Sequence, residues 1–588
     1  MITDGKPSMT TIKSFLGLNM NRTGETQLKL GEASYMKNFR ITKDCKLEKM
    51  YGYAELYNPN NRIRANWIGK LGNTEMNIYV AGGKVYKGGT TPTELGSLTD
   101  ADTTIFEFNQ KLYFINGTDF KYYDGTNFGS VSGYIPTIKI ACTPAGVGDD
   151  YEPINLISDY RKVSFSGDGT STSYQLPETG IANVTATVGG TATTVSFTSG
   201  TGVVTFSTAP AVGTDNVIIK YQKSDVPSST AQNITKNKYA TKYGLASDTR
   251  VFLYGNASAK NRIYYSDLGN GVPDVTYFPA NNFIDVGSSN EAVTDISRQY
   301  DRLIISKPNE AYYATYDTIT DTTGETIITF PTYPLNNSHG MVAYGQGQVL
   351  DNYVTTVDSS GIIQWINTNT KDERNASIIS ERIQEWLLAR DLSKAVTLDY
   401  QEEKEYWLAI DNEVMVYNYA NSTFFSFFLP DNVRTLTTYK NEIYMGTDKK
   451  LMKWDTDKTT YNGEIIDAEW HSGFYDFEAE YKRKTMRILW FTIKPQIKTY
   501  MSVNYITDRN NGVEEREFSS VNNEVFSYPF WNYADFTYNC NNHIKPFKVK
   551  LKAKKFAFLQ LIIKSNKIDH KLILDSITIQ KAYGGFVK

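Results

Sequence analysis

EYWLAIDNEVMVYNY, residues 405–419, decides the fold. Two apolar, aromatic-rich runs flank a polar Asp-Asn turn, which is the signature of a β-hairpin. Working outward, the same short pattern appears six more times. Downstream it is EIYMGTDKKLMKWDTD at 442–457. Upstream it is NYVTTVDSSGIIQWI at 352–366, RLIISKPNEAYYA at 302–314, RVFLYGNASAKNRIYYSD at 250–267, KLYFINGTDFKYYDG at 111–125 and NIYVAGGKVYK at 77–87. Several copies recur at intervals of about 35–55 residues, the spacing of four-stranded propeller blades. A lone hairpin cannot bury its apolar face, so repeats of this kind are stable only when stacked. The pattern predicts an all-β chain with a roughly seven-bladed β-propeller over 55–162 and 238–462.

The composition agrees. The chain has 588 residues, too many for one core, and its 42 Tyr and 29 Phe suit half-buried pleated surfaces. Net charge is −3 but uneven. From residue 541 onward, 11 Lys stand against Asp569 and Asp575, a surplus of nine, which leaves residues 1–540 at −12. A body of that sign repels nucleic acid over its bulk surface. The three cysteines, Cys45, Cys142 and Cys540, are far apart, fitting assembly in a reducing compartment rather than a disulfide framework. No apolar run reaches the roughly 18 residues of a membrane span, and the start shows no signal-peptide pattern. The expectation is a protein made in the cytoplasm, with no membrane span.

Three regions depart from the blade pattern. Residues 1–54 lack periodicity and read as an arm followed by a short strand pair. Residues 163–223 are rich in Thr, Ser, Gly and Val and read as a small β-sandwich inserted in a propeller loop, followed by a polar linker. From 463 to 588 longer strands predict a C-terminal β-sandwich. ASIISERIQEWLLARDLSK reads as the one helix, with Ile379, Ile383, Trp386 and Leu387 at helical spacing and Asn375 or Ser377 as its cap.

Catalytic patterns are missing. There is no phosphate-binding Gly-Lys loop, dinucleotide fingerprint or Gly-x-Ser-x-Gly elbow, and His339, His471, His543 and His570 stand apart from other metal ligands. The chain is read as a non-enzyme without cofactor or metal. DTITDTTGET and TDADTTIFEF are Asp-rich but lack the full alternation of a calcium loop. TVDSSGIIQW, at 356–365, is one residue off the Asp-box turn of sialidases, which is itself structural. Lys548, Lys550, Lys552 and Lys554 alternate along one strand and so share a face. Two readings stand: an edge strand guarded against aggregation, or an electrostatic contact to an acidic neighbouring subunit or a phosphate backbone.

The opening carries a family resemblance. Phe15-Leu16-Gly17-Leu18-Asn19, Leu30-Gly31-Glu32-Ala33, Asn38-Phe39-Arg40-Ile41, Lys46-Leu47-Glu48-Lys49 and Tyr51-Gly52-Tyr53 together resemble the start of the tail nozzle and packaged-DNA stabilisation propeller proteins of short-tailed bacteriophages. The island, with Gly167-Asp168-Gly169, Leu176-Pro177, Val204-Thr205-Phe206, Ala209-Pro210 and Gly213, resembles the Ig-like modules of phage tail and fibre proteins. The resemblance implies a virion structural protein of the tail, assembled in the host cytoplasm. It would form a ring, a homohexamer, below portal and adaptor, shaping or plugging the channel through which viral DNA passes without sequence-specific binding. Phe15, Asn19, Glu32, Asn38 and Arg40 would then belong to an interface arm that orders against a partner. A receptor-binding or baseplate-type module using the insert, and a propeller glycan depolymerase, are the alternatives.

Overall fold

In the computed structural model six of the seven hairpins are the inner pair of a four-stranded antiparallel meander, and the seventh holds the same inner place in a sheet extended to six strands. Residues 5–21, 27–223, 234–245, 247–320, 326–366, 375–509, 519–528 and 537–587 are described. The fold is all-β, and the α-helix Gln384–Leu388 is only five residues long. Four tight turns, one within a hairpin and three leading into one, set the strand pairing. At Gly82-Gly83, Asn109-Gln110, Asp351-Asn352 and Lys440-Asn441 both turn residues have positive φ, the type I′ geometry that matches strand twist.

The chain forms two compact units, one of residues 1–68, 342–367 and 376–588, the other of residues 69–341 and 368–375. In the second unit neighbouring meanders bury their apolar faces on each other. Phe106, Phe108, Tyr113 and Ile115 share a core with Val251, Leu253 and Tyr264, and Phe252, Ile263 and Tyr265 share another with Leu303, Ile305 and Phe330. In the first unit Trp407 of the sixth meander stands edge-on to Trp454 of the seventh, with ring centroids 5.2 Å apart. The seventh meander takes its fourth strand from far upstream: Gly52–Tyr57 pairs antiparallel with Leu451–Asp455. The predicted start of the propeller at 55 therefore moves back to 52. Gly52 is required there, because a Cβ would lie 1.9 Å from the Thr460 carbonyl oxygen.

The insert is larger than predicted. Thr137–Cys142 runs parallel to Tyr160–Gly167, which pairs with Gly213–Gln222, so the module starts at 137 rather than 163. Two sheets enclose Val163, Phe165, Tyr174, Val204, Phe206 and Tyr221, and every residue of this core lies between Cys142 and Tyr221. Leu156, between the two stretches of the insert, returns to the core of the second and third meanders. Linker residues 224–233 lie outside the described ones. A fragment spanning 135–223 is expected to fold alone and melt cooperatively by circular dichroism; a featureless melt would show that the module leans on its host.

The C-terminal sandwich is not built from 463–588 alone. One six-stranded sheet joins Pro7–Ile12, Phe39–Ile41 and Leu47–Lys49 to Ile573–Phe586, Lys482–Ile493 and Lys545–Phe556. The other joins Gly17–Leu18 and Glu32–Lys37 to Ala468–Ser472, Leu559–Ser565, Lys498–Thr507 and Ser519–Glu524. The separate arm of residues 1–54 is thereby corrected: most of it is sheet. Its strands hid from periodicity because they are two to six residues long and several, such as Phe39–Ile41, are buried on both faces. The helix is corrected too. Ala376–Ile378 is the fourth strand of the fifth meander, and only Gln384–Leu388 is α-helical. Neither Asn375 nor Ser377 caps it: Ser377 lies in that strand, and the residue before the helix is Ile383, with no side-chain cap bond.

Four lysines are buried in this unit, and three of them are strongly shifted. Desolvation holds Lys49, Lys484 and Lys581 at about 8. In the unfolded chain they titrate near 10.4, so from pH 8 to 10 the unfolded state binds more protons and stability rises with pH. Burial raises the Cys142 thiol, which works the other way but is one group against three. Buried tyrosines such as Tyr254 and Tyr406 are pushed upward and reverse the trend above pH 10, where only the unfolded chain ionises. The urea midpoint is expected to increase from pH 7 to 9 and fall by pH 11. A decrease from 7 to 9 would contradict this burial.

Candidate functional site

The two groups of residues singled out from sequence occupy different environments. Phe15 is fully buried with its ring edge-on to Trp470 at 5.7 Å. Gly17, at φ +76°, lies so close to the sixth meander that a Cβ would meet the Phe424 carbonyl oxygen at 2.4 Å, which accounts for the glycine of the opening motif. Asn19 donates through Nδ2 to Glu32 Oε2 at 3.1 Å, and the same carboxylate oxygen accepts from the Lys29 N–H at 2.9 Å. Asn38, at φ 55°, is a junction. It donates to the Asp467 carbonyl and accepts at Oδ1 from the Phe428 N–H, linking the C-terminal sheets to the sixth meander.

Arg40 is the most constrained of the set. Its guanidinium reaches Glu405 Oε1 at 2.8 Å, Glu403 Oε2 at 3.1 Å and Glu48 Oε2 at 3.7 Å, and lies over the Tyr51 ring. Glu405 has no exposure and also accepts from Trp407 Nε1 at 3.0 Å. Burial works against the charge of Arg40, but the surrounding carboxylates outweigh it and hold the guanidinium protonated; burial pushes the Glu405 carboxyl up, with Glu403 adding to it and Arg40 opposing. Phe15, Glu32, Asn38 and Arg40 are thus corrected from a free interface to an internal clasp, and each is at most 6% exposed. Their partners Glu405, Trp407, Asp467 and Trp470 had no sequence signal beyond Glu405 itself, a charge opening an otherwise apolar strand.

Lys548, Lys550, Lys552 and Lys554 do share an exposed face, while Val549, Leu551 and Ala553 point into the sandwich. None of the four has an ion-pair partner among the described residues.

One cleft of about 320 Å³ opens beside the sixth and seventh meanders, lined by Tyr51, Glu55, Tyr400, Glu442, Lys453 and Trp454 among others. Its carboxylates are engaged. Glu55 pairs with Lys450 and Glu442 with Lys453, each at 2.7 Å, and Tyr444 donates to Glu442 at 2.6 Å. Burial raises Glu442, but these bonds together hold it below the usual carboxylate range, making it a poor proton donor at neutral pH. Asp358 of the Asp-box-like stretch accepts from the N–H and hydroxyl of Ser360 and serves a hairpin turn. Among the described residues no three His, Cys, Asp or Glu converge as metal ligands, and no helix is long and apolar enough to cross a membrane. Residues 321–325 of DTITDTTGET lie outside the described ones.

No protein-family model and no curated protein matches the chain. Among solved structures it aligns with BamB from Moraxella catarrhalis at 11% identity, over 77% of this chain and 98% of that one, with a TM-score of 0.33. It aligns with the AfRom2 CNH domain at 8% identity, over 69% and 99%, with a TM-score of 0.36. An exo-β-1,3-galactanase from Phanerochaete chrysosporium aligns at 8% identity, over 82% and 96%, with a TM-score of 0.18. At these scores the alignments say nothing of what the chain does.

Proposed function

We propose that the chain is a non-catalytic, ring-forming component of a bacteriophage tail, of the nozzle type, which surrounds the exit channel and retains packaged DNA until ejection. The observation that carries this reading is the closure of the seventh meander by Gly52–Tyr57, the strand that directly follows the opening motif. Seven repeated meanders, the last completed by a strand from near the start of the chain, suit a seven-bladed propeller, whose blades leave only short, protected edges. The Asn38 and Arg40 clasp then fixes the N-terminal segment to the sixth blade and the C-terminal sheets. Six such subunits would sit below portal and adaptor in the virion, after assembly in the host cytoplasm and without a cofactor. An acidic body lets DNA slide through without counterion-release attraction.

Native mass spectrometry of the purified chain tests the reading. A species of six chain masses, 66.4 kDa each, is the expected result. A trimer would favour a receptor-binding spike. Release of reducing sugar from host capsule would favour a depolymerase.

A further inference from the structure

The strand Lys545–Phe556 stands last in its sheet, and its outer face is unusual in charge. Successive same-face lysines along a strand are about 6.6 Å apart. The register places Trp490 opposite Lys548 and Ile488 opposite Lys550. Thr578 and Gln580 follow on the next strand, then Thr11 and Met9. Across the four strands Pro7–Ile12, Lys482–Ile493, Lys545–Phe556 and Ile573–Phe586 the only carboxylate is Asp575, and it is paired with Lys46 at 2.9 Å. The face therefore presents a row of four exposed lysines, with a register shift between Lys550 and Ala553, beside hydroxyl and amide groups and a half-buried indole, and no unpaired carboxylate on these four strands.

Protein–protein interfaces are depleted in lysine, whose strongly hydrated point charge is held less readily than the flat fork of arginine. A row of point charges with hydroxyl neighbours suits a chain of phosphates, which such groups position without reading bases. We propose that this face binds the sugar–phosphate backbone of nucleic acid without regard to sequence. The net charge of −12 on residues 1–540 turns the polyanion away from the rest of the chain and confines it here. The face would do this whether or not the chain forms a ring.

Fluorescence anisotropy of the full chain with a labelled 30-base-pair duplex tests it. Four released counterions give a slope of log affinity against log salt of about −3.6, or about a 150-fold loss from 50 to 200 mM. A second duplex of unrelated sequence is expected to bind equally. Lys548→Glu, Lys550→Glu and Lys552→Glu together are expected to weaken binding at 50 mM at least 30-fold with an unchanged melting midpoint, while Lys84→Glu with Lys87→Glu leaves it unaltered. No binding at 50 mM, or a triple variant that binds like the parent, would overturn the proposal. So would a salt-sensitive oligomer lost in the triple variant without any DNA binding, which would make an acidic surface of a second copy the occupant.

Discussion

A chain that begins at Gly52 is expected to aggregate when expressed, not merely to lose a partner. Phe15, Met36, Phe39, Ile41 and Leu47 are at most 1% exposed. Burying five such side chains is worth roughly 7–15 kcal/mol before entropy is counted. That rivals the whole stability of an ordinary domain, about 5–15 kcal/mol. The truncation would also uncover Trp470 and strip strands from both C-terminal sheets, leaving Ala468–Ser472 as a bare edge open to pairing with other chains. Soluble yield and the thermal midpoint are the readouts. A soluble truncated chain with the full-length midpoint would return residues 1–51 to the status of a dispensable arm.

Arg40→Ala is expected to destabilise the first unit by about 3–5 kcal/mol, because Glu405 would stay buried with its charge uncompensated. The defect carries a pH signature. Without Arg40 the Glu405 carboxyl would rise further, so the folded chain would hold a proton that the unfolded chain releases near pH 4.3. Stability of the variant is therefore expected to recover as pH falls from 7 toward 5. Adding Glu405→Gln should restore part of the loss at pH 7, which a double-mutant cycle reads directly. Equal urea midpoints for Arg40→Ala and the parent at pH 7 would contradict the clasp.

The seven hairpins were legible in the sequence because each joins two apolar, aromatic-rich strands through a short polar turn, several of them with Gly or Asp at positive φ, as at Gly82-Gly83, Gly117, Gly255 and Asp411. The outer strands were harder: Gly52–Tyr57 finds its partner Leu451–Asp455 some 400 residues away, and no local pattern records that pairing. The insert boundary slipped for the same reason, since Thr137–Cys142 joins by a parallel pairing. At the N-terminus the motif residues were visible but their role was not. Strands buried on both faces, as Phe39–Ile41 is, read like irregular apolar chain, and a buried arginine reads like a surface one until Glu405 is placed beside it. The lysine row was legible in full, because strand alternation alone fixes its face.

Class averages of the purified full-length chain, imaged singly in negative stain, test the central claim most directly. The account predicts closed rings of identical subunits around an open centre, each subunit containing a disc of seven lobes. Isolated particles at every concentration, or three-fold spikes with no central opening, would contradict it.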